Sequence, residues 1–208
     1  MEFPDRYSVA LLEEDYINGL TEKELEDLAE RFYNDTYEAD QNACSSPKMI
    51  FWIKGSHSEE ARERWWAMVH QVCRRKYPLD MMRANEKYAQ LCRTAMDVEE
   101  IGQIIKKDNY LYRIVLQSCN RELEKYQGIY GTFYEYGLEK KEDILPYLTR
   151  KIQTVIYAGS TETGEIRQMI RNGNTLGGDR VVSPGEALQL AADWDGNDML
   201  RTLSRVIG

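Results

Sequence analysis

Between Tyr110 and Gly137 the apolar and aromatic side chains recur at steps of four and three: Tyr112, Leu116, Cys119, Leu123, Tyr126, Tyr130, Phe133 and Gly137. No other feature constrains the folding of this chain as strongly, because that spacing aligns them along one side of a helix. Arg113, Arg121, Glu122, Glu124 and Lys125 flank the seam and suit a solvated opposite face. The pattern predicts a helix of roughly seven turns over 110–137 that serves as the spine of the fold. Gly128 and Gly131 interrupt it, each costing about 1 kcal/mol against Ala in a helix interior. They mark a kink or a close backbone approach. The seam fits an intramolecular bundle and a homodimer equally well.

Caps announce the other helices. Thr21 with Glu24 forms a capping box, followed by Leu25, Leu28, Ala29, Phe32 and Thr36 on one face. Gly19 suits the end of a preceding helix carrying Leu11, Leu12 and Tyr16. Residues 59–77 and 79–96 read as two further helices separated by Pro78. Asp97 with Glu100 caps a helix bearing Ile101, Ile104 and Ile105. Residues 144–157 and 163–171 read as helices, and Ser183-Pro184-Gly185-Glu186 opens another through Trp194. A last helix carries Leu200, Leu203 and Val206. Met49–Ile53 fits a short helix, opened at Ser46-Pro47, or a short strand. The fold expected is all-α, about two thirds helix, a single multi-helix bundle-like domain with little or no sheet, against a base rate near one third helix.

Charge divides this chain. Residues 1–45 hold thirteen Asp and Glu against three Lys and Arg, a net of −10 within a total of −8. Residues 61–94 carry eight bases against three acids. An acidic amino-terminal helical arm (1–45) therefore precedes a helical body (46–208). Either the two segments neutralise each other inside the fold, or at least one faces a charged partner.

The four cysteines are widely spaced, with no Cys-x-x-Cys, and read as reduced core thiols. No apolar run approaches the ~20 residues that cross a bilayer. The acidic start is unlike a secretory signal, so a cytoplasmic location and no membrane partner are expected.

No constellation carries catalytic or cofactor chemistry, so no catalytic residue, cofactor or metal is assigned. Glu59, Glu63, Trp66 and His70 share a helix face, but the paired Glu-x-x-His segments of a di-metal bundle are absent. Asp193, Asp195 and Asn197 open like a calcium loop, yet Asp198 stands where Gly is required and Ser204 where Glu is required. The loop 173–185 lacks a Gly-Lys-Ser/Thr phosphate cradle.

The expected role is a non-enzymatic interaction protein, an inhibitor or adaptor of a nucleic-acid-handling complex, in the style of phage and mobile-element proteins. Its acidic stripe, Glu22, Glu26, Asp27, Glu30, Asp35, Glu38 and Asp40, would contact a basic protein surface. The alternative is a nucleic-acid binder using Arg62, Arg74, Arg75, Lys76, Arg83 and Trp66, the bases neutralising phosphates and the indole stacking on bases. A third reading is a helical-bundle enzyme whose site has no recognised motif.

Overall fold

The computed structural model describes residues 6–189 and the strand pair Asp193–Trp194 with Asn197–Asp198. It overturns the all-α expectation. A seven-stranded, mostly parallel sheet runs through the protein, with helices on both faces. The strands are β1 (Tyr7–Glu13), β2 (Pro47–Ile53), β3 (Ile101–Lys107), β4 (Leu111–Leu116), β5 (Thr132–Leu138), β6 (Ile152–Ala158) and β7 (Arg180–Val182). Their spatial order is β3-β4-β5-β2-β1-β6-β7. Only β3 runs antiparallel to its neighbour. The helices are α1 (Glu14–Gly19), α2 (Glu22–Thr36), α3 (Ser58–Lys76), α4 (Met81–Asp97) and α5 (Thr163–Asn172).

The expected 110–137 spine is two strands and the segment between them. Tyr112 and Leu116 lie in β4, Leu123 in a 3₁₀ turn closed by Tyr126, and Phe133 and Gly137 in β5. Leu11 and Leu12 belong to β1, Ile101, Ile104 and Ile105 to β3, and residues 152–157 to β6. Met49–Ile53 is strand. Residues 184–188 form turns instead of a helix start, and Trp194 pairs as strand. The expected last helix at 200–206 and Asp195 lie outside the described residues. The α2 capping box is present, Glu24 N–H donating to Thr21 Oγ1 at 3.4 Å and Thr21 N–H to the Glu24 carboxylate at 2.8 Å.

Alternating strand residues enter two different cores. Ala10, Leu12, Ile50, Trp52 and Phe133 face α2 and α3, meeting Leu25, Phe32, Trp65 and Val69. Val9, Leu11, Phe51, Tyr112 and Tyr134 face the other side with Leu91 of α4 and Ile166 and Ile170 of α5. Both faces of the central strands are buried and mostly apolar. The period-two signal therefore vanishes from the sequence, as in other parallel sheets covered on both sides.

Gly131 shows why glycine occurs before β5. Its φ is +81°, and a Cβ there would collide with the Tyr37 ring. Its carbonyl accepts from Lys87 Nζ at 3.1 Å and from Tyr112 N–H at 3.0 Å. Gly131→Ala should destabilise the protein by about 2–4 kcal/mol through overpacking and left-handed strain. Urea unfolding would reveal it as a lower midpoint at unchanged slope, and a wild-type midpoint would refute the steric argument.

Candidate active site

Two ends of the sheet present different chemistry. The chain leaves β1 toward β2 and leaves β6 toward β7, so the strand order reverses between β1 and β6. At the carboxyl ends of these strands, where open α/β sheets commonly bind ligands, the crevice is occupied by Glu13. Its carboxylate takes hydrogen bonds from Lys141 Nζ (2.7 Å), Ser160 N–H (3.0 Å), Ser160 Oγ (2.7 Å) and the Tyr157 hydroxyl. Glu14 follows, buried, accepting from Arg62 Nε at 2.6 Å and Gly55 N–H at 2.7 Å. Asp15 accepts from Ser56 N–H at 2.9 Å. These carboxylates hold the loops at this end together.

The amino ends of β1, β2 and β6 border an open polar cleft of about 440 Å³, lined by Arg6, Tyr7, Asn42, Cys44, Lys48, Glu124, Gln127 and Lys151. Cys44 is a free, exposed thiol on the loop entering β2. This corrects the expectation of four core cysteines: Cys44 and Cys92 are exposed, and only Cys73 is buried.

The loop carrying Cys44 is over-determined. Asp40 and Gln41 both adopt left-handed backbone, at φ 54° and 60°, a cost that persists only when the surroundings impose it. The fully buried Gln41 amide does so. Its Nε2 donates to the carbonyls of Pro47 (3.0 Å) and Thr132 (3.1 Å), and its Oε1 accepts from the N–H groups of Gly131 (3.1 Å) and Thr132 (3.2 Å). Asp40 accepts from Tyr77 OH at 2.6 Å and pairs with Arg83 at 3.2 Å. Ser8 Oγ donates to the Cys44 carbonyl at 2.7 Å, and Ser46 Oγ to the Asp35 carbonyl at 2.7 Å. An exposed thiol is thus held on a rigid backbone, the arrangement a nucleophile requires.

Lys48 supplies the local charge. Burial pushes its ammonium down from the ordinary lysine value, and the nearby Cys44 opposes that shift. Across the cleft Lys151 pairs with Glu124 at 2.7 Å, and Arg6 with Asp179. Among the described residues Lys48 has no carboxylate partner; its ammonium lies 5.8 Å from the Tyr7 ring centroid. A partly buried cation therefore stands beside the exposed thiol. Asn42, two residues before Cys44, adds an exposed amide to the same wall.

Asp35 ties this loop to the segment after β7, accepting from Gly185 N–H (2.6 Å) and Ala187 N–H (2.9 Å). Burial lifts its carboxyl to about 6, against the lowering effect of those two amides. Glu13 goes the other way. Its burial is outweighed by hydrogen bonds from Lys141, Tyr157 and Ser160, which lower it to about 2. The signs differ accordingly. The Asp35 contribution to stability is complete below its unfolded value, about 4, and is lost as pH rises through about 6. The Glu13 contribution is complete above about 4.3 and is lost as pH falls through about 2. In urea unfolding against pH, Asp35→Asn should remove the decline on the first limb and Glu13→Gln the decline on the second. A variant profile parallel to wild type on its limb would dismiss that assignment.

The acidic stripe and the basic segment meet. Arg75 bridges Glu26 (2.8 Å) and Glu30 (2.5 Å), Lys76 reaches Glu30 at 4.0 Å, Arg64 approaches Glu22 at 3.8 Å, and Arg83 holds Asp40. Asp35 is buried, while Asp27 and Glu38 are exposed. Arg62 is spent on Glu14, and Arg74 is exposed at the end of α3. Trp66 is buried, its indole donating to Glu135 at 2.8 Å, so it has no free face for a base. His70 contacts Asp108 at 2.9 Å. Sequence reasoning passed over Cys44, Lys48 and Gln41. The available signal was a cysteine in a polar stretch, Asp40-Gln41-Asn42-Ala43-Cys44-Ser45-Ser46, outside every apolar pattern.

The model of one protein family, described as acyl-CoA reductase (LuxC), matches residues 1–206. No curated protein matches the chain significantly. Among solved structures, an NAD-dependent aldehyde dehydrogenase from Sinorhizobium meliloti is 11% identical with a TM-score of 0.54, over 90% of this chain and 38% of its own. A 1-pyrroline-5-carboxylate dehydrogenase from Thermus is 10% identical with a TM-score of 0.52, over 86% and 35%. Lactaldehyde dehydrogenase from Escherichia coli is 10% identical with a TM-score of 0.50, over 91% and 41%. At these identities the likeness is one of fold, and the chain spans about two fifths of the length of such enzymes.

Proposed function

The chain belongs to the acyl-CoA reductase family LuxC, and from that premise we propose that it carries the acyl-accepting half of such an enzyme, with Cys44 taking the acyl group from a coenzyme A thioester. Membership in this family overturns the expected non-enzymatic inhibitor or adaptor, and with it the acidic interaction-protein and phage-like description. The enzyme alternative was nearer, although its scaffold is an α/β sheet and not a helical bundle. Among the described residues, no helix is long and apolar enough to cross a membrane.

The single observation that carries the proposal is an exposed thiol on a hydrogen-bonded, left-handed loop beside a lysine that has no carboxylate partner among the described residues. The Cys44 thiolate adds to the thioester carbonyl carbon and forms a new C–S bond. The C–S bond to coenzyme A then breaks, and coenzyme A leaves as a thiolate. Lys48, its ammonium made more acidic by burial, is placed to give that thiolate a proton. Thioester is exchanged for thioester, so no oxidant or reductant enters. With Arg6 paired to Asp179 and Lys151 to Glu124, Lys48 leaves the cleft lining with one cation in excess, which suits the phosphates of coenzyme A.

A nicotinamide dinucleotide would supply hydride for the reductive half. The sheet's own switch point does not fit it. The turn after β1 reads Glu13-Glu14-Asp15, where a dinucleotide fold places glycines and helix amides around the pyrophosphate. The residues described here therefore act on the acyl group alone.

Octanoyl-CoA and the purified chain provide the test. Intact-mass measurement should show one octanoyl adduct with release of one coenzyme A, reversed by hydroxylamine and mapped to the Cys44 peptide. No adduct, or an adduct on another residue, would remove the proposal.

A further inference from the structure

Helix α4 carries four of the six large hydrophobic side chains that are exposed among the described residues: Met81, Met82, Tyr88 and Met96. On a helical projection Met81, Met82, Asn85, Tyr88, Ala89, Cys92, Ala95 and Met96 fall within an arc of about 140°. All are exposed, and Asn85 alone carries a polar side chain apart from the tyrosine hydroxyl. The arc is displaced from the buried face, where Ala84, Lys87, Leu91 and Thr94 meet the sheet. Lys87 donates to the carbonyls of Asn109, Tyr130 and Gly131, and Thr94 contacts the Tyr134 hydroxyl at 3.0 Å. The helix is firmly seated, and its outward stripe is not a product of loose docking. Large apolar side chains gathered on one exposed helix face mark an interaction surface.

We infer that this stripe packs against the same stripe of a second copy of the chain, antiparallel across a two-fold axis. Two features of the sequence favour this occupant. First, the stripe reads the same in both directions. Pairing Met81 with the partner's Met96 sets Asn85 against the partner's Cys92 and Tyr88 against the partner's Ala89. Methionines then meet at both ends, where their flexible side chains adapt to an interface, and the large Tyr88 meets a small residue. Second, the charges complement. Exposed Glu86 and Arg93 lie on one edge of the stripe. Antiparallel packing brings like edges together, so each Glu86 lies within a turn of the partner's Arg93. A two-fold interface is satisfied by such self-complementary patches. Steps of four and three through Met81, Asn85, Tyr88, Cys92 and Ala95 also match helix-on-helix seams.

Light scattering after size exclusion, over a concentration series of the full chain, should return the mass of a dimer. Met81→Lys with Met96→Lys should return a monomer of unchanged circular dichroism. Asn85→Cys should form an intermolecular disulfide to the partner's Cys92 on mild oxidation, identified by peptide mapping and lost on adding Cys92→Ser. A wild-type monomer at every concentration would overturn the inference, as would a dimer indifferent to the lysine substitutions. Absence of the 85–92 disulfide in a proven dimer would overturn the antiparallel pairing. None of these readouts depends on the acyl-transfer reading.

Discussion

Cys44→Ala is expected to abolish acyl capture from octanoyl-CoA, a loss on the order of 10³-fold or more, while leaving the unfolding midpoint unchanged. The size follows from covalent catalysis. Removing the nucleophile removes the intermediate itself, and the surrounding donors cannot substitute for it. The unchanged stability follows from position. The thiol is exposed, and the loop is held by Gln41, Asp40, Ser8 and Ser46, none of which bonds to the Cys44 side chain. Cys44→Ser should keep the geometry and still lose most of the capture, because a hydroxyl is a far weaker nucleophile at neutral pH. Cys92→Ala, on the outer face of α4, should capture at the wild-type rate. Intact-mass kinetics separates the three variants. Wild-type capture by Cys44→Ala would end the assignment of the cleft, whatever the fold.

Glu135→Ala should produce the largest loss of stability. Glu135 lies fully buried in β5 and accepts from the indoles of Trp52 (2.7 Å) and Trp66 (2.8 Å) and from Arg113 Nε (2.7 Å). Removing it strands the buried Arg113 guanidinium, whose remaining carboxylate partner is the much more exposed Glu63. Breaking a buried pair by deleting one partner costs about 3–5 kcal/mol. The two orphaned indole N–H groups add to this, but not additively, since they share one cavity. A loss of about 4 kcal/mol would consume much of a typical domain's 5–15 kcal/mol. Glu135→Gln, which keeps an acceptor, should lose less. A double-mutant cycle with Arg113→Met, followed by urea unfolding, measures the coupling. Coupling near zero would show that the guanidinium finds compensation elsewhere.

What could be read from the sequence follows physical lines. The capping box at Thr21 and Glu24, the helices of residues 58–76 and 81–97, and the short helix 163–172 were legible because their signals are local: a cap, a 3.6-residue period, a terminating proline. The strands were not. Leu11 and Leu12 point into opposite cores, as do Phe51 with Trp52 and Phe133 with Tyr134. In β1 and β2 neighbouring residues are therefore both apolar, with no alternation to detect, and the polar residues of β4, β5 and β6 are themselves buried. The seam through Tyr112, Leu116, Leu123, Tyr126 and Phe133 arose from two such strands and an anchored turn between them.

The candidate site divides in the same way. The sequence displayed a lone cysteine in a polar stretch but nothing to distinguish it from an idle surface thiol. Lys48, Glu124 and Lys151 line the cleft with Cys44 only because parallel pairing aligns the amino ends of distant strands.

Taken alone, the sequence determined α2 with its capping box, α3, α4 and α5, and the opposed charges of residues 1–45 and 61–94. Those features rest on contacts between residues a few positions apart or on composition. Tertiary structure decided that the opposed charges pair with each other, as Arg75 does with Glu26 and Glu30. It also decided that apolar runs become a sheet and that Cys44 stands in a cationic cleft. Hydrophobic burial and strand pairing act between residues far apart in the chain, and periodicity within any one segment carries no record of which distant segment will cover it.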